Sequence, residues 1–173
     1  GGTTDVAILS LGEIVTSSSL KIAGDRMDKD IIKYVKETYK LLIGDRTAEE
    51  MKKRIATAWR GSRKDSMEVS GRDLVTGLPH TNTMTSDETE TAIHESLQDI
   101  VRACRTVLEQ TPPELSADIV TRGIVLTGGG ALLHGMDQLL MNELGIPVYV
   151  AENALKCVAE GTGIMLENLH LVG

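Results

Sequence analysis

The sequence runs to 173 residues, 41% hydrophobic and 25% charged, enough to bury a core in one domain or two small lobes. Its formal net charge of −7 argues against nucleic acid or an anionic membrane as the main partner, since both need dense Lys and Arg. No apolar run in it approaches membrane-spanning length.

In chain order, DVAILSL and IVTSSSLKIAG read as two strands joined through a turn at Gly12. Val6, Ile8 and Ser10 alternate with Ala7, Leu9 and Leu11, so both faces are largely apolar and the first strand suits a covered, central position. After Gly24 the period lengthens. Met27, Ile31, Tyr34/Val35, Thr38 and Leu41/Leu42 recur at helical spacing, and Gly44 ends the run. TAEE then places Thr47 as an N-cap with Glu50 as its capping-box partner, opening a helix through Ala58. Two short strands follow, broken by Gly61, Gly71, Gly77 and Pro79. A second capping box, Thr85 with Glu88, opens a long amphipathic helix whose inner face is Ile93, Leu97, Ile100, Cys104 and Val107/Leu108. Pro112-Pro113 stop it. GIVLTGGG is an apolar strand entering three glycines, ALLHGMDQLLMNEL a helix, IPVYVA a strand and ALKCVAEGTGIMLENL a final helix. The order predicts a mixed α/β layer domain with a smaller lobe inserted at about residues 24–85. Cys104 and Cys157 each fall inside an apolar helical pattern and read as buried free thiols, and the four His form no metal-ligand spacing.

Three stretches carry candidate chemistry. Gly128, Gly129 and Gly130 join a strand directly to a helix, where bare backbone and unpaired helix N–H groups admit an anionic ligand. A tight turn with no ligand accounts for them equally well, and neither the Walker lysine nor the dinucleotide fingerprint is present. GGTTD precedes a strand; its glycine N–H groups and its Thr3 and Thr4 hydroxyls suit phosphate oxygens or magnesium-bound water, or serve only a turn. In AEEMKKRIA, Glu49 and Lys52 lie three apart on one helical face. They could hold ribose hydroxyls and cover an adenine ring, or form only a solvated salt bridge.

Taken together, GGTTDVAILSLGEIVTSSSLKIAGDRMD, YKLLIGDRTAEEMK, GRDLVTGLP, LEQTPPELSADI, RGIVLTGGGALL and CVAEGTG resemble the MreB/Mbl family of bacterial actins. The resemblance implies an actin-like (ribonuclease H-like) α/β ATPase fold with a small inserted α+β lobe. It further implies that the chain is the second half of a longer protein, entering the family's second phosphate loop two glycines before Thr3. Residues 1–23 and 86–173 would then form subdomain IIA and residues 24–85 subdomain IIB. ATP and Mg2+ would bind between this half and a first half.

By the same resemblance, Gly1, Gly2 and Thr3 match the phosphate loop, and Glu49 and Lys52 the ribose and adenine helix. Gly129, Gly130, Ala131 and Leu132 match the adenosine loop, and Gly24 with Asp25 a bend beside the nucleotide. No catalytic or metal-ligating residue carries over. Intact family members are weak ATPases; this half alone is expected to be inactive. The implied role is an ATP-dependent cytoplasmic filament that governs rod shape and cell-wall elongation, with a RodZ-type membrane partner on subdomain IIA and membrane contact only through the first half. The other readings are the ATPase half of a sugar kinase or a DnaK-type chaperone, and a partner-docking module alone.

Overall fold

The computed structural model describes residues 4–10, 13–20, 24–115, 117, 119–120, 123–128 and 131–151. Two sheets share one apolar core. The first has the order β2-β1-β6-β7, built from β1 (Thr4–Ser10), β2 (Glu13–Leu20), β6 (Ile124–Gly128) and β7 (Val148–Ala151). The second has the order β3-β4-β5, from β3 (Leu41–Leu42), β4 (Ser66–Asp73) and β5 (Pro79–Thr85).

As its two apolar faces require, β1 is a central strand, antiparallel to both β2 and β6, with Val6 and Ala7 buried. The β1–β6 register sets Thr4 opposite Gly128, so the described ends of two glycine-rich loops lie side by side. β6 and β7 run parallel, joined through α4 (Met136–Leu144).

Between β2 and β3 lies α1 (Gly24–Tyr39), whose buried face is Met27, Ile31 and Val35. It packs on α2 (Asp45–Arg54) through Ala48 and Met51, and on α3 (Ser86–Glu109), which buries Ile93, Leu97, Ile100 and Cys104. The Cys104 thiol, enclosed by this core, is pushed up to about 12 by desolvation and stays protonated at neutral pH. A short 3-10 turn covers Pro113–Leu115. No helix among the described residues is long and apolar enough to cross a membrane.

The capping box of α3 forms as its sequence pattern predicts: Thr85 Oγ1 accepts from the Glu88 N–H, and Glu88 reaches back to the Thr85 N–H. The identical pattern at Thr47 does not. There α2 starts three residues earlier, at Asp45, from an extended Gly44 with no side-chain cap, and it ends at Arg54 instead of Ala58. The backbone is already helical before Thr47: the Ala48 N–H donates to the Gly44 carbonyl at 3.2 Å, so Thr47 lies within the first turn and cannot act as the cap.

Three more boundaries differ from expectation. The α1 pattern does not continue through Leu41 and Leu42; Lys40 takes a left-handed φ of 53°, and the two leucines pair with Asp73 and Arg72 instead. Gly71 does not break a strand but lies inside β4, where an added Cβ would run into the Leu42 carbonyl, so its bareness lets β3 approach. The helix expected from Ala131 begins only at Met136, because Gly135 has a φ of 80° and its backbone lies against Trp59. Residues 131–135 are therefore a turn, and Gly128 does not lead directly into a helix. Cys157 and the expected final helix lie outside the described residues.

Candidate nucleotide cleft

A cleft of about 950 Å³ opens where the start of α1, the face of α2 and the turn at 131–135 converge. Its walls include Gly24, Asp25, Glu49, Lys52 and Leu132, drawn from three segments far apart in sequence. Asp28, Lys53, Arg63 and His134 complete its polar lining, and Met27 and Leu133 give it an apolar part.

Each wall is fixed by the packing beneath it. Burial of Met27 and Ile31 orients α1 so that Gly24 and Asp28, four apart on one face, point toward α2. On α2, burial of Ala48 and Met51 leaves Glu49 and Lys52 at the opening. The third wall is tied down by the Ala58 N–H donating to the His134 carbonyl at 2.7 Å. Arg63 closes the end of α2: its guanidinium donates to the Arg54 and Ala56 carbonyls, complementing the negative end of that helix, while its Nε lies 2.8 Å from Asp65.

The ion pairs in the cleft differ from the simple Glu49–Lys52 neighbour pair that the spacing suggests. Lys52 Nζ lies 3.0 Å from Asp28 Oδ1 on α1, with the two side chains 17% and 14% exposed. Glu49 instead meets Lys53 at 2.9 Å, one turn along the same helix. The hydrogen bond from Lys53, and then its charge, hold the Glu49 carboxyl below its ordinary range, so it is an anion and an acceptor at neutral pH. At Gly24 an added Cβ would lie 2.5 Å from Lys52 Nζ, so the ammonium rests directly over bare backbone.

Cations and carboxylates are thus balanced around an open space with exposed backbone. That donor and acceptor set fits a nucleotide: Glu49 can accept from ribose hydroxyls, while Lys52, Lys53 and the first-turn N–H groups of α1 can face negative charge. Of the residues singled out in the sequence, Gly24, Asp25, Glu49, Lys52 and Leu132 line this cleft. Ala131 is buried in the adjoining turn, its N–H donating to the Gly128 carbonyl at 3.2 Å. Gly1, Gly2, Thr3, Gly129 and Gly130 lie outside the described residues. Asp28 went unnoticed in the sequence, although its i, i+4 relation to Gly24 marks it as sharing that face.

A family model described as MreB/Mbl protein matches residues 1–173. The cell shape-determining protein Mbl of Bacillus cereus is 59% identical over 169 residues, covering 98% of this chain and 51% of its own length. The cell shape-determining protein MreB of Escherichia coli is 51% identical over 173 residues, covering all of this chain and 50% of its own. Among solved structures, MreB 5 of Spiroplasma citri bound to AMPPNP superposes with a TM-score of 0.81 at 40% identity, over 99% of this chain and 52% of that one. The chain spans about half the length of the curated relatives it matches.

Proposed function

The chain belongs to the MreB/Mbl protein family, with its actin-like α/β fold, and we propose that it is the nucleotide-binding second domain of a bacterial actin. In this reading residues 24–85 form the smaller inserted subdomain and the remainder the larger one, as the two separate sheets suggest. The ligand is ATP with Mg2+, and the intact protein assembles into filaments that direct cell-wall elongation, with a RodZ-type membrane partner on the larger subdomain.

One observation carries the reading. Residues from three segments that the family resemblance singles out, Gly24–Asp25, Glu49–Lys52 and Leu132, converge on one cleft with suitable chemistry. A solved relative that matches half of its length to this chain is bound to AMPPNP, and the same protein has also been solved with ADP. Within the cleft, Glu49 orients the sugar and Lys52 supplies positive charge beside the bare Gly24 backbone. A ligand held between these groups and a first domain would bias the angle between the two halves, and filament competence with it. Hydrolysis would need groups from both halves, so this chain alone should turn over ATP negligibly.

Glu49→Ala in the intact protein tests the reading, because the Glu49 side chain is 51% exposed and its loss leaves the core untouched. ATP affinity by titration calorimetry should fall about tenfold, as for loss of a hydrogen bond to a charged group, and light scattering should show less ATP-dependent assembly. Parental affinity and assembly would contradict it.

A further inference from the structure

Resting on the nucleotide reading of this cleft, we propose that Asp28 is a positioning residue for the ligand, holding the Lys52 ammonium in place over the Gly24 backbone. Nothing in the local spacing pairs Asp28 with Lys52; the packing of α1 on α2 brings them together. Asp28 Oδ1 is shut away from solvent and accepts no aligned hydrogen bond among the described residues, so the ammonium 3.0 Å away is what offsets its burial.

Lysine carries four methylenes and much rotamer freedom, so an untethered ammonium must be ordered at the ligand's expense. Here the tether is already in place. Held by charge 3.0 Å from Asp28 Oδ1, the ammonium keeps N–H donors to present to the cleft that Lys52 lines. The absent side chain at Gly24 completes the arrangement, since a Cβ there would displace the ammonium from its seat. Adjacent Lys53 provides the contrast: its pairing with Glu49 stays within one exposed helical face and fixes nothing across the cleft. Asp28 thus acts through Lys52 and lowers the ordering cost of binding.

The test is a double-mutant cycle in the intact protein, with AMPPNP as the titrated probe and magnesium present. Asp28→Asn keeps the side-chain shape and removes the charge; Lys52→Met keeps the stem and removes the ammonium. Each should weaken AMPPNP binding about tenfold, and the double variant should bind no more weakly than Lys52→Met alone. Melting without nucleotide, measured in parallel, separates loss of fold from loss of affinity. If Lys52→Met weakens binding while Asp28→Asn binds like the parent, the positioning role is wrong and the cleft reading stands. Additive losses would also overturn it, since Asp28 would then act independently of Lys52. If neither variant changes affinity in a protein that binds AMPPNP, the cleft reading itself fails.

Discussion

The two faces of α1 meet their neighbours in different ways. Toward α3 the contact is a seam of polar pairs along the whole helix: Arg26 with Asp99 at 2.5 Å, Asp30 with Ser96, and both Tyr34 and Tyr39 with Glu88. Toward α2 the ion-pair contact among the described residues is Asp28–Lys52, set among buried Met27, Ala48 and Met51. The α3 seam is redundant and partly exposed, so its members share the work of fixing one helix on another. Among the described residues the α2 seam shows no such redundancy, and its pair lines the cleft. Scaffold and candidate site are thus separated across one helix.

Lys52→Met should break that contrast most severely. It leaves the Asp28 carboxylate nearly enclosed without a counter-charge, at a cost of about 2 kcal/mol in urea unfolding, and nucleotide affinity should fall with it. The adjacent Lys53, with its side chain 70% exposed, serves as control: Lys53→Ala should leave the unfolding midpoint unchanged.

On the scaffold side, Glu88→Ala removes the return bond to the Thr85 N–H and both tyrosine contacts. Its expected cost is about 1 kcal/mol of stability with nucleotide affinity unchanged, so a loss of affinity here would blur the division. A finer effect is alkaline. The Tyr39 phenol is pushed from 10.0 up to about 12, first by its hydrogen bond to Glu88 and then by desolvation. The unfolded chain therefore loses this proton first, so the contribution is complete below about pH 10 and disappears as pH rises through about 12. Tyr39→Phe should reduce the loss of stability across that window, read from melting midpoints at successive pH values.

Elements with strong local periodicity were legible in the sequence. The inner face of α3 and its Thr85–Glu88 cap follow from spacing alone. The same TxxE pattern at Thr47 misled, because the helical backbone already runs from Gly44, whose carbonyl accepts from the Ala48 N–H, and Thr47 falls inside the first turn. Gly71 read as a breaker because its role, admitting β3, depends on a strand thirty residues earlier in the chain. The cleft was legible in part for the same reason. Gly24, Glu49 and Lys52 belong to recognisable stretches, whereas the pairing of Lys52 with Asp28 is set by the packing of two helices and leaves no signature at either position.

Amide hydrogen exchange of the intact protein, with and without AMPPNP, tests the central claim most directly. If this cleft holds the nucleotide, exchange should slow at residues 24–28, at 49–53 and in the turn at 131–134, while the β4–β5 hairpin at 66–85 keeps its rate. Saturating AMPPNP that leaves all three cleft segments exchanging as in the free protein would contradict the assignment.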